Sequence, residues 1–301
     1  MQHLRKWAPC VLSLFLLSPA AAAAGSFDIA ITVDDLPVHG PLPRGMSWLG
    51  IAETHLKVFK ANGVPEAFGF VNASKIARAL DGDAVLDAWR AAGYPLGNHT
   101  YSHMNLEKAP SLAAWTADVV TGEPAVAARM AGADWRYLRF PFLNAGGERQ
   151  QEALDYLHAH GYKVADVSVA FSDWVYTDAY ARCVAQDDTA AIQAMKAAYL
   201  AGVDSAIASM KAQSQQVYGR VIPQVLLTHM GGWSAVTLPE VMAKLNAAGA
   251  RYVTLAQAQS DPAYTVPGGG AVITRTAGLK GISLQDSKPA APQLDVGKLC
   301  R

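Results

Sequence analysis

Short apolar runs alternate with alanine-rich stretches of helical period along most of this chain, and that alternation narrows what it can fold into more than any other feature. A strand that must return parallel to its predecessor needs a crossover, usually a helix, so repeated strand and helix units predict a parallel sheet covered by helices. The strand candidates are Phe27 to Val33, Ala67 to Val71, Pro95 to Gly97, Tyr137 to Phe140, Tyr162 to Val167, Val221 to Thr228 and Arg251 to Thr254. Between them, Leu49 to Ala61, Ala84 to Ala92, Leu112 to Arg129, Arg149 to His160 and Pro239 to Ala248 read as helices. Gly63, Gly93, Gly161 and Gly249 follow four of these helices, where a left-handed closing residue is expected.

Residues 177–217 break the alternation. This alanine-, glutamine- and serine-rich stretch keeps helical period without a strand signal, which predicts an inserted helical pair packed on the body rather than a lid. From residue 260 to 301 prolines and glycines accumulate and the period fades, so an irregular surface tail is expected there. Residues 1–24 combine Arg5 and Lys6, an apolar run from Val11 to Leu17, Pro19 and a string of alanines, the layout of a cleaved export signal too short to span a bilayer. Export to the periplasm or the extracellular space is therefore expected, with no stable membrane insertion afterwards. About 277 residues then remain, with 25–259 as one domain. The 25 basic residues equal the 25 acidic ones, which leaves no basic footprint for nucleic acid. Of the three cysteines Cys10 lies in the signal, while Cys183 and Cys300 either form a disulfide in the oxidising compartment or stay as two thiols.

The chemistry gathers where predicted strands end, the place where parallel folds collect functional side chains. The first strand runs into Asp34 and Asp35, two like charges that need solvent or a compensating cation. The third runs into His99 and His103, four residues apart, which a helical turn would place on one face beside a single metal. Two histidines and one carboxylate match a catalytic zinc site with an open position, although octahedral metals accept the same set. Arg139 and Phe142 close the fourth strand and His229 the sixth, following Leu227, and Asp173-Trp174 lies between those two strands.

These blocks, in this order, resemble the polysaccharide deacetylase family, carbohydrate esterase family 4. Thr32 to Asp35 resembles its opening block, His99 to His103 its histidine block, and Arg139 to Phe142 its arginine and proline block. Asp173-Trp174 and Leu227 to His229 resemble the two that follow. The resemblance implies an α/β fold, a distorted (β/α) barrel of about seven parallel strands. It implies Zn2+ or another divalent transition metal held by Asp35, His99 and His103. Asp34 would act as base, oriented by Arg139, and His229 as acid, its pKa raised by Asp173. The Phe142 N–H would hold an oxyanion, and Trp174 and Leu227 would enclose an acetyl methyl. The expected partner is an acetylated carbohydrate, carrying N-acetyl amino sugars as in peptidoglycan or chitin-like polymers. O-acetyl ester hydrolysis, and carbohydrate binding without turnover, are the competing functions. Two departures are visible in the sequence: Leu36-Pro37 follows Asp35 where the family has glycine, and Leu143 to Gly147 follow Phe142 where the family has a glycine at once. A stiffer loop beside the metal and a reshaped groove are expected.

Overall fold

The computed structural model describes residues 25–284 and 294–301. The expected export signal, residues 1–24, lies outside the described residues. Among the described residues no helix is long and apolar enough to cross a membrane.

Among the described residues eight strands form one parallel sheet: β1 (Phe27–Leu36), β2 (Ala67–Val71), β3 (Leu96–Asn98), β4 (Tyr137–Leu138), β5 (Lys163–Val164), β6 (Val169–Ala170), β7 (Gln224–His229) and β8 (Ala250–Tyr252). Their spatial order is β5-β4-β3-β2-β1-β7-β6, with β8 paired to the start of β1. Ile29 faces Gln224 of β7 and also Tyr252 of β8, so β8 lies on the edge of β1 that β2 occupies farther along. Seven strands therefore curl into an incomplete barrel and the eighth pairs only with the N-terminal half of β1. In β1 every residue but one is buried, as expected for a strand covered on both faces.

The helices between the strands are α1 (Trp48–Ala61), α2 (Gly82–Ala91), α3 (Leu112–Ala127) and α4 (Gln150–Ala159). In α1 the buried residues Trp48, Ile51, His55 and Phe59 recur at helical spacing and face the sheet, and the Ser47 side chain caps its first turn. The four glycines expected to close helices take φ of +65°, +84°, +75° and +88° at Gly63, Gly93, Gly161 and Gly249. Since all strands are parallel, every loop that follows a strand opens at the same end of the sheet, and the site is built there.

Between β6 and β7 lie α5 (Thr177–Ala185) and α6 (Thr189–Tyr218). The buried residues of α6, from Met195 through Tyr199, Val203, Ile207 and Met210 to Val217, form one stripe packed on the body. Its partner is α7 (Gly232–Ala247), which begins seven residues before the predicted helix because Pro239 sits inside it rather than at its start. The short helix α8 (Leu255–Gln259) follows β8.

Two expectations are corrected. Strand β6 was not predicted: two residues of β-pairing leave almost no periodicity to read. The tail expected to be irregular contains α9 (Val272–Leu279), whose Val272, Ile273 and Ala277 are buried, an eight-residue amphipathic pattern masked by the glycines at 268–270, 278 and 281. This tail also braces the rim of the sheet, since the Gly270 N–H donates to the Leu143 carbonyl at 2.7 Å.

Cys183 and Cys300 form a disulfide across 117 residues of chain, which settles the alternative left open by the sequence. Arg182 adds two hydrogen bonds to the Leu299 carbonyl. Closing so long a loop stabilises by restricting the unfolded chain, so Cys300→Ser should cost about 2–5 kcal/mol. Urea unfolding of the two proteins under oxidising conditions measures this, and coincident midpoints would contradict it.

Candidate active site

Adjacent residues of a strand point to opposite faces, so Asp34 and Asp35 could not both reach one hollow from a regular β1. The backbone solves this locally. The pairing register with β2 shifts between Val33 and Leu36, and Asp35 takes φ +66°, which turns both carboxylates towards the same cavity. That cavity, of about 340 Å3, is lined by Asp34, Asp35, His39, His99, His103, Phe142, Leu143, Ala170, Trp174, Leu227 and His229. Thr100, His103 and Phe142 around it also have positive φ. Each such residue costs about 1–3 kcal/mol and persists only where its surroundings hold it.

The histidine block is not the helical turn that its spacing suggested. It is a loop held from outside: the Thr100 N–H donates to Asn98 Oδ1, while the N–H groups of Tyr101 and Ser102 donate to the carbonyl and side chain of Asp118 on α3. The Asn72 side chain bonds the His99 carbonyl at 2.6 Å. Four hydrogen bonds therefore replace the helix, and the two imidazoles still meet, their ring centroids 4.8 Å apart.

Asp35, His99 and His103 form a group whose ligand atoms could hold a metal ion. Asp35 Oδ1 is buried and lies 3.8 Å from His99 Nε2 and 3.5 Å from His103 Nε2, with the Lys75 ammonium 3.0 Å away. Three atoms bound at about 2.0–2.2 Å in tetrahedral geometry sit roughly 3.4 Å apart, so the residues fit the ion. His99 Nδ1 lies 2.8 Å from the Arg139 carbonyl, which only a protonated Nδ1 can satisfy, and this leaves the Nε2 lone pair facing the cavity. Burial holds the pKa of His99 well below its ordinary value and lowers that of His103 to about 4, so both are neutral, as ligands must be. Burial alone would raise the Asp35 pKa, but the hydrogen bond from His39 and the charge of Lys75 hold it well below the carboxylate range.

Two further pairs flank this group. Arg139 Nη1 is 3.4 Å from both oxygens of Asp34, while its other nitrogens bond Thr32 Oγ1 at 2.9 Å and the Ala165 carbonyl at 2.7 Å. The arginine is thus fixed before it meets the carboxylate. Burial raises the Asp34 pKa to about 6, with Arg139 and His229 opposing. On the other side His229 Nδ1 lies 2.8 Å from Asp173 Oδ1. Asp173 also accepts from Thr228 Oγ1, Ser234 Oγ and the His229 N–H, and these contacts keep it ionised despite burial. Burial would lower the pKa of His229, yet the adjacent Asp173 and the more distant Asp34 and Asp35 raise it to about 9. The cavity therefore holds an ionised carboxylate and a protonated imidazole together near neutral pH.

Residues 22–165 match the sequence model of the family described as polysaccharide deacetylase. Over this stretch, which runs through β5, the chain belongs to the polysaccharide deacetylase family. Its fold is that of three solved structures. A chitin deacetylase from the fungal pathogen Colletotrichum lindemuthianum is 20% identical, with 78% of this chain and 89% of that one covered and a TM-score of 0.52. The peptidoglycan deacetylase PdaC from Bacillus subtilis, in a mutant form, is 17% identical over 86% and 96%, with a TM-score of 0.51. A pseudoenzyme of carbohydrate esterase family 4 from Bacillus anthracis is 15% identical over 78% and 66%, also with a TM-score of 0.51. No curated protein matches the chain in sequence.

All ten residues singled out from the sequence gather at this end of the sheet. Eight line the cavity, with Arg139 behind Asp34 and Asp173 behind His229. Sequence reasoning missed His39, whose Nδ1 is 2.7 Å from Asp35 Oδ2, and Lys75, whose Nζ is 3.0 Å from Asp35 Oδ1. Lys75 follows the end of β2 and was open to the same strand-end argument as the others. His39 lies in the Leu36-Pro37 departure, where neither period nor resemblance offered a guide.

The Asp173 charge opposes burial at His229, so Asp173→Asn should lower the His229 titration midpoint from about 9 towards the ordinary imidazole range. NMR titration of the His229 ring measures it, and an unmoved midpoint would contradict the pairing.

Proposed function

We propose that this protein is an exported, metal-dependent hydrolase that removes acetyl groups from N-acetyl amino sugars in peptidoglycan or chitin-like polymers or oligomers. The observation that carries the reading is the separation of proton affinities in one cavity: Asp34 is ionised above about 6 and His229 is protonated below about 9, with the Asp35, His99 and His103 group in the same cavity. A base and an acid that coexist at neutral pH are what amide hydrolysis needs. A binding protein would need neither.

A divalent cation, with zinc the reading favoured here, would be held by Asp35, His99 and His103 and would polarise the acetyl carbonyl and acidify a water molecule. Asp34, oriented by the Arg139 guanidinium, takes the proton from the attacking water. The Phe142 N–H, presented by a left-handed residue at the cavity edge, is available to the developing oxyanion. His229, held by Asp173, gives its proton to the departing amine. Trp174 and Leu227 line the same cavity and offer apolar surface to the acetyl methyl. The amino-sugar substrate is supported by the fold relatives named as chitin and peptidoglycan deacetylases. Export is supported by the basic and apolar pattern of residues 1–24.

Acetate release from N-acetylated chito-oligosaccharides and peptidoglycan, with acetylated xylan alongside, tests this reading. Asp34→Asn should reduce release by about 10²–10⁴-fold, the usual effect of losing a general base, and a chelator should abolish it until zinc is restored. Release that survives both would contradict the mechanism, and release from xylan alone would reassign the activity to esters.

A further inference from the structure

Outside the pairs already described, the cavity holds one titratable side chain without a part in the reaction. We infer that His39 is a positioning residue that fixes Asp35 as a one-oxygen ligand and steadies the ring of His229. The inference rests on the metal-hydrolase reading above.

Geometry fixes the first half. His39 Nδ1 lies 2.7 Å from Asp35 Oδ2. An ionised carboxylate only accepts, so Nδ1 carries the proton and donates. With Oδ2 occupied, the oxygen left facing His99 and His103 is Oδ1, which has the Lys75 ammonium 3.0 Å to its side. Hydrogen bonds to a ligating carboxylate orient it and tune the affinity of the site. The second half follows from packing. The His39 ring lies 4.5 Å from the His229 ring at an interplanar angle of 35°. The His39 N–H also donates to the Met230 carbonyl at 2.8 Å, and the Met230 N–H donates to the Asp34 carbonyl at 3.0 Å. One residue thus touches the metal carboxylate, the acid imidazole and the strand end between them.

The loop that carries His39 is held firmly enough for this task. A Cβ at Gly40, which has φ +70°, would fall 2.4 Å from Thr177 Cγ2, and one at Gly232 would fall 2.5 Å from Pro43 Cγ. Arg44 donates to the Val184 carbonyl at 3.0 Å and pairs with Asp187. Thr177 and Val184 belong to α5, and Asp187 to the turn before α6, so the helical insertion clamps the loop that departs from the family pattern.

Three variants of the full protein, His39→Ala, His39→Asn and His39→Gln, test the assignment by calorimetric titration with zinc alone and by kcat and KM on an N-acetylated chito-oligosaccharide. Alanine should weaken zinc binding by about 10–100-fold. Asparagine, whose Nδ2–H takes the place of Nδ1–H, should restore most of that affinity, whereas glutamine, one methylene longer, should not. At saturating zinc the asparagine variant should still show lowered kcat with little change in KM, because the ring beside His229 is gone. Unaltered zinc affinity in His39→Ala, or equal affinity in the asparagine and alanine variants, would overturn the inference. If the unaltered protein takes up no zinc, the metal-hydrolase reading itself fails, and this inference with it.

Discussion

Two neighbouring carboxylates buried at the end of a central strand are the constraint around which the rest of the molecule is arranged. Asp34 and Asp35 are almost inaccessible to solvent, and like charges in such a place repel without the screening that water would give. Each is answered separately. Arg139 is pinned by Thr32 and Ala165 before it reaches Asp34, and His39 and Lys75 meet the two oxygens of Asp35. Even so, Oδ1 of each carboxylate is met only by a cation, Arg139 Nη1 at 3.4 Å for Asp34 and Lys75 Nζ at 3.0 Å for Asp35. Those two oxygens belong to the cavity where the neutral imidazoles of His99 and His103 converge.

The opposite wall has the inverse arrangement. Asp173 is buried too, but five donors surround it, the N–H of Trp174 among them, so its charge is fully used and is passed on to His229 as a high proton affinity. A carboxylate that is short of donors and an imidazole that has a saturated carboxylate behind it thus share one cavity. This asymmetry, more than any single residue, gives the site the capacity to take a proton on one side and give one on the other.

Much of this was legible in the sequence, for physical reasons that differ by element. Strands buried on both faces read as unbroken apolar runs, so β1 and β2 stood out, and the end of the first apolar run marked Asp34 and Asp35. The long buried stripe of α6 likewise survives as period in the sequence. What failed was structure held by distant partners. The conformation of His99 to His103 depends on Asn72, Asn98 and Asp118, none of which the four-residue spacing reveals. Strand β6 is defined by pairing with β7 rather than by its own two residues. His39 was hidden for the same reason: its role depends on a loop path fixed by the insertion, about 140 residues later.

The central claim is that the gap between Oδ1 of Asp35 and the two imidazoles is a metal site. Crystals soaked in zinc and measured on both sides of the zinc absorption edge test it directly. A single anomalous peak about 2.0–2.2 Å from Asp35 Oδ1, His99 Nε2 and His103 Nε2 is the predicted result. A cavity without a peak, or a zinc ion bound elsewhere while these three side chains stay unligated, would contradict it.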